Sequence, residues 1–165
     1  MSADDKPTIL VDAGELRLPR FSGAVRVQRA TLRTGHFSLL GSAAYVAIDR
    51  YELGSFARLV ADPDAFRERC RRLAKHDFRV IVVEAARGAV MPAAIEGCGV
   101  PVLFGRTPTG AARIIEKLLT LVWRQQRQRA GIDHAPPFIT GGPRPHVVVY
   151  DLPDGEEPPV PLGAA

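Results

Sequence analysis

Residues 78–85 read FRVIVVEA, with four consecutive apolar side chains at Val80, Ile81, Val82 and Val83. Successive side chains of a strand point to opposite faces, so an unbroken apolar run makes both faces hydrophobic. Such a strand belongs in the middle of a sheet that is covered on both sides. TILVD (8–12) is a second short β-branched run, ending in an acid, and VPVLFG (100–105) is a third. AVRVQ (24–28) alternates apolar and polar residues, as a half-exposed strand does. HFSLL and YVAID flank GSAA, which predicts a hairpin around Gly41 and Ser42.

The helices are signposted by a change of period. Leu53, Phe56, Ala57 and Val60 fall at i, i+3, i+4 and i+7, one face of a short helix. A second helix follows in DPDAFRERCRRLAKHD, with Asp62 as N-cap, Pro63 in the first turn, and Phe66, Cys70, Leu73 and Ala74 as the apolar stripe. Its opposite face carries Arg67, Arg69, Arg71, Arg72 and Lys75. A long third helix starts near Thr109, which is read as its cap, and Ala111, Ile114, Ile115, Leu118, Leu119 and Val122 mark its buried face. Leu121 and Trp123 widen that stripe, which points to a partner surface, a homodimer or heterodimer contact. MPAAIEG reads as a loop or short helix between two strands. Beyond Gly131 prolines and glycines dominate, so 131–165 reads as a tail, with HVVVY as one candidate added strand. Residues 1–130 then form one domain, an α/β three-layer sandwich with a mixed central sheet.

The net charge of +4, carried mostly by arginine, favours a polyanionic partner. Arg67, Arg69, Arg71, Arg72 and Lys75, with Arg50, are the candidate phosphate contacts; a solvated helix face is the plainer reading of the same run. GRTPTGAAR offers backbone N–H groups at a helix start but lacks the Gly-Lys-Ser/Thr of a P-loop. No apolar run approaches the ~20 residues of a membrane span. MSADDKPT is too polar and acidic for a secretory or transit signal. Cys70 and Cys98 have no metal-like spacing and make no disulfide framework, so a reduced, cytoplasmic setting is expected.

Three chemical groups end strands or open turns: Asp12, followed by Glu15; His36; and Asp49. Strand ends can gather carboxylates from distant positions around a metal ion, which suits hydrolysis of a phosphodiester. The order VDAGELR, GHF, AIDRYELGSF, a basic helix and RVIVVEA resembles the XPF/Mus-type (ERCC-four-like) structure-specific endonuclease domain, over roughly residues 8–129. That family reads V-D-x-R-E, then G-D, then E-R-K-x-x-x-D, on a restriction-endonuclease-like sheet. VPVLFGRTPTGAARIIEKLL resembles the strand and helix that end that domain.

On this resemblance Asp12 matches the first family acid, Glu15 the acid of the R-E pair, and Arg50 the arginine of E-R-K. Gly14 stands in place of arginine, His36 in place of the G-D aspartate, Asp49 in place of glutamate, Tyr51 in place of lysine and Ser55 in place of the last aspartate. Asp12, Asp49 and Tyr51 become the candidate catalytic residues, and Asp12, His36 and Asp49 the candidate metal ligands. Tyrosine brings no charge at neutral pH, shortening Glu to Asp withdraws the carboxylate by one methylene, and imidazole suits other ions better than magnesium. The reading is therefore a DNA-binding or scaffold pseudonuclease active in DNA repair or handling. Alternatives are a metal-dependent DNA endonuclease using Mg or Mn with atypical ligands, with Tyr51 or Glu52 positioning water, and a protein-interaction domain unrelated to DNA. For Asp12 a loop-starting role is the plainer reading, for Asp49 and Arg50 an exposed ion pair, and for Glu84 a loop acid.

Overall fold

The computed structural model describes residues 6–86, 95 and 97–130. The expected short segment around MPAAIEG falls largely outside the described residues, and the tail with HVVVY falls wholly outside them. Strands β1 (Thr8–Asp12), β2 (Arg26–Ala30), β3 (Phe37–Leu39) and β4 (Val46–Glu52) come first. Helices α1 (Leu53–Ala61) and α2 (Pro63–Leu73) follow, then β5 (Phe78–Glu84), β6 (Val102–Phe104) and α3 (Pro108–Arg129). The sheet order is β2-β1-β3-β4-β5-β6. β1 is parallel to β2 and antiparallel to β3, β3 is antiparallel to β4, and β4, β5 and β6 are parallel. The sheet is mixed, as the sequence implied.

Strand alternation divides the core into two layers. Ile48, Val80 and Val82 face α3 together with Ile9, Val11, Phe37 and Leu39, where they meet Ala111, Ile115 and Leu119. Ala47, Ile81 and Val83 face the other way, against Phe56 of α1 and Phe66, Cys70 and Leu73 of α2. β5 is thus apolar on both faces because a helical layer covers each. β2, at the edge, leaves Arg26, Val27, Gln28 and Arg29 exposed. It begins two residues later than the alternation of AVRVQ suggested.

The helix signals resolve with small corrections. Asp62 caps α2, accepting from the N–H groups of Asp64 and Ala65 at 3.1 and 3.0 Å, with Pro63 at the first position. α3 is capped by Thr107 rather than Thr109: the Thr107 hydroxyl accepts from Gly110 N–H at 3.0 Å, and Pro108 opens the helix. In α1 only Phe56 is buried, while Leu53 and Ala57 are exposed, because the helix lies at the rim of its layer.

Candidate functional site

The site is assembled along β4, where Asp49 is the middle residue rather than the strand end expected, beside the end of β1 and the turn before β3. Gly35 makes the approach possible. Its φ is +84°, and a Cβ there would stand 3.2 Å from the Ala47 side chain and the Ile48 backbone. The next residue is tied on both sides: His36 N–H donates to Ile48 O at 2.8 Å, and its carbonyl accepts from Asp12 N–H at 2.9 Å. The ring is tied as well, since Nδ1 accepts from Arg50 N–H at 3.0 Å. That bond places the ring proton on Nε2. Asp49 Oδ1 is 3.7 Å from Nδ1, too long for a hydrogen bond.

Asp49 and Tyr51, two residues apart, share the face toward α2. Asp49 is completely buried. Its carboxylate is gripped by one guanidinium, with Arg69 Nε 2.5 Å from Oδ2 and Nη2 2.6 Å from Oδ1. Tyr51 O–H adds a third bond, to Oδ2 at 3.1 Å. Burial and then the Asp49 charge push the Tyr51 hydroxyl well above the usual tyrosine value, so it stays a proton donor. Burial opposes the charge on Arg69, but the hydrogen bonds and charge of Asp49 outweigh it and hold the guanidinium cationic. The sequence grouped Arg69 with an outward basic face. It lies instead three residues after Phe66 and beside Cys70, on the buried side of α2, where a polar side chain needs a buried partner.

Arg50 points to the opposite face of the sheet and is also buried. Its Nη2 donates to Glu15 Oε1 at 3.0 Å and to Arg17 O at 2.7 Å, and Nη1 is 3.2 Å from Glu84 Oε1. The Glu84 contact is ionic without hydrogen-bond geometry, since Oε1 has no hydrogen-bond partner. Burial raises the Glu84 carboxyl against the opposing pull of Arg50, with help from Glu52 and Glu15. Arg50 is therefore an inward counter-ion for two acids rather than an outward phosphate contact, and neither it nor Asp49 makes an exposed ion pair. Glu52 turns outward to Arg17 at 2.6 Å and does not join Asp49.

Asp12 closes its own turn. Oδ1 accepts from Leu32 N–H at 2.8 Å and Oδ2 from Gly14 N–H at 3.0 Å. The Leu32 bond leads in lowering its pKa below the ordinary carboxylate value, although partial burial works the other way. A Cβ at Gly14 would stand 3.0 Å from Asp12 Oδ2, so the absence of a side chain there lets the turn tighten. Ser55, on α1, accepts from Arg58 Nη2 at 3.2 Å.

A magnesium or manganese ion needs several oxygens free to coordinate it. Here Asp12 is spent on backbone N–H groups, Asp49 on Arg69 and Tyr51, and His36 Nδ1 on Arg50 N–H. Among the described residues no three His, Cys, Asp or Glu side chains converge as a metal site. The donor set as arranged does not fit either ion. What the arrangement provides instead is a side-chain cation, Arg69, ion-paired with the carboxylate. A cavity of about 370 Å³ opens beside it, lined by His36, Tyr51, Leu59, Arg69 and Arg72 among others.

The remaining basic residues of α2 are outward. Arg67 pairs with Asp64 at 2.5 Å, and Arg71 and Arg72 share Glu68 at 2.8 and 3.0 Å. Exposed pairs of this kind contribute little, so these arginines can exchange partners cheaply. Lys75 is exposed. On α3, Leu121 is exposed, whereas Trp123 packs against the core with Arg127 over its ring at 4.8 Å. The Arg69 clamp and the Glu15–Arg50–Glu84 group were missed in sequence. The helical phase of Arg69 was the available signal for the first; the second joins distant segments and leaves no local pattern.

No family model and no curated protein sequence matches the chain. Solved structures do. XPF from Aeropyrum pernix in complex with DNA superposes with a TM-score of 0.58 at 25% identity, covering 72% of this chain and 66% of that one. A second structure of XPF from Aeropyrum pernix superposes at 0.57 and 22% identity, covering 76% and 69%. The chain thus spans about two thirds of the length of these structures. With its mixed six-stranded sheet between helical layers, this chain has the XPF-like, restriction-endonuclease-like nuclease fold.

Proposed function

We propose that the chain is a pseudonuclease: an XPF-like domain that holds DNA, or scaffolds a DNA-handling assembly, without cutting the strand. One observation carries this reading, the seating of Arg69 on both oxygens of the buried Asp49. The acid that a metal-dependent hydrolase would spend on its ion is spent on an arginine. Tyr51, in the place of the family lysine, donates to the same acid and adds no positive charge. Support for DNA comes from the matched XPF structure, which is a complex with DNA, and from the chain's net charge of +4. Arg67, Arg71, Arg72 and Lys75 are the side chains placed to meet phosphates, whose neutralisation releases counterions and gives a sequence-independent, salt-dependent affinity. Pairing with a second nuclease-fold chain through Leu121 on α3 belongs to the same reading.

The test is incubation of the chain with flap, fork and single-stranded DNA, with magnesium or manganese, beside an Asp12→Ala/Asp49→Ala variant. The expected result is binding that weakens steeply as salt rises and is reduced by Arg71→Ala/Arg72→Ala, with intact strands throughout. Cleavage that disappears in the double variant would overturn the reading and make Asp12, His36 and Asp49 the ligands of an atypical endonuclease. Absence of DNA binding at low salt would leave a protein-interaction domain.

A further inference from the structure

Cys70 and Cys98 are 28 positions apart in sequence but belong to one packed group. Cys70 is buried in the layer beneath α2, and the half-buried Cys98 packs against that same layer. Both thiols are free, and each is the leading influence on the other's ionisation, as neighbouring sulfurs are. Cys98 sits between Gly97 and Gly99, with φ of +80° and +68°, a backbone that presents its sulfur to Val100. Val100 N–H donates to Cys98 Sγ at 3.4 Å, and the thiol donates to Val100 O at 3.1 Å.

We propose that Cys70 and Cys98 are an oxidisable dithiol, with Cys98 the attacking sulfur and Cys70 the resolving one, that a hydroperoxide converts to a disulfide. The roles follow from position. Cys98 is the more accessible and accepts the Val100 N–H, which favours its thiolate, whereas Cys70 is screened from solvent and beside the Asp49 charge. The neighbouring Cys70, opposed by burial, lowers the Cys98 thiol below its ordinary value, which favours the nucleophilic thiolate.

The step balances. Cys98 thiolate attacks one peroxide oxygen, the O–O bond breaks, and hydroxide leaves, giving Cys98 sulfenic acid. Cys70 then loses its proton and attacks the Cys98 sulfur; the S–O bond breaks, and the departing hydroxide takes that proton as water. Two thiols lose two electrons, and hydrogen peroxide becomes two waters. The bond formed ties the middle of α2, one residue from Arg69, to the segment that leads into β6. Oxidation would thereby lock the helix that carries the clamp on Asp49, whether or not the chain binds DNA.

The experiment treats the full chain with hydrogen peroxide near neutral pH and reads intact mass and free thiols. Expected is a monomer lighter by two hydrogen atoms, with both thiols lost together and recovered by dithiothreitol. In Cys70→Ala, Cys98 should accumulate as a sulfenic acid that dimedone traps. In Cys98→Ser, Cys70 should be lost at least about tenfold more slowly, because a buried thiol is inert to direct attack. The proposal is overturned if the wild-type chain gains oxygen without losing hydrogens, if it links only between molecules, or if Cys98→Ser leaves the loss of Cys70 unchanged.

Discussion

A carboxylate with no access to water, as Asp49 is, must find donors or give up its charge. Asp49 finds three: two N–H groups of Arg69 and the hydroxyl of Tyr51. A bidentate guanidinium is geometrically matched to a carboxylate, and its value here lies less in net attraction than in what its loss would expose. Arg69→Ala should destabilise the chain by about 3–5 kcal/mol, the cost of leaving a buried charge without its partner. The double variant Asp49→Ala/Arg69→Ala should lose less than the sum of the two single variants, because the second change removes the stranded group. Urea unfolding of the wild type and the three variants measures both quantities. Equal additive losses would mean that the two side chains act independently.

The helices show how local chemistry sets an element that tertiary packing then uses. α2 begins where Asp62 accepts two backbone N–H groups and Pro63 supplies a pre-formed first turn. With the start fixed, the 3.6-residue repeat delivers Phe66, Arg69, Cys70 and Leu73 to one side. Asp62→Ala should therefore cost about 1 kcal/mol of unfolding free energy, read from urea unfolding. Its effect should reach Arg69 as well, through faster amide exchange across the first turns of α2. A change confined to stability with no exchange signature in α2 would argue against a cap that positions the clamp. The start of α2 and the span of β5 were legible in advance, because a cap residue, a proline and an apolar run are local signals. The helix ends at Leu73, leaving Ala74, read as part of its stripe, exposed as the C-cap. The cap of α3 was not legible, since Thr107 and Thr109 both precede the apolar repeat, and the turn through Arg106, with φ of 56°, decides between them.

The sheet imposes a gradient of protection on the chain. β4 and β5 lie between other strands and between two helical layers, whereas β2 is an edge strand whose first four residues are exposed. Native-state hydrogen exchange should accordingly find the slowest amides in Ile81–Val83 and the fastest ladder amides in β2. Comparable protection in β2 would show that something further covers that edge.

The mixed α/β class, the central place of β5 and the burial of Phe66 and Cys70 could all be read from residue order. Burial on a strand or helix face follows from period alone. Asp12 at the end of β1 and His36 in the turn before β3 were readable too, because strand ends and turns mark themselves in sequence, whereas Asp49, expected to end its strand, lies in the middle of β4. What those residues do was settled in three dimensions. Asp12 turns to its own backbone, His36 caps the N–H of Arg50, and Arg50 and Arg69 leave the surface to neutralise buried acids on opposite faces of β4. A charged side chain reads as exposed until its buried counter-charge is known. That counter-charge here comes from a separate element, brought within hydrogen-bond reach only by the packing of α2 and β1 on the sheet.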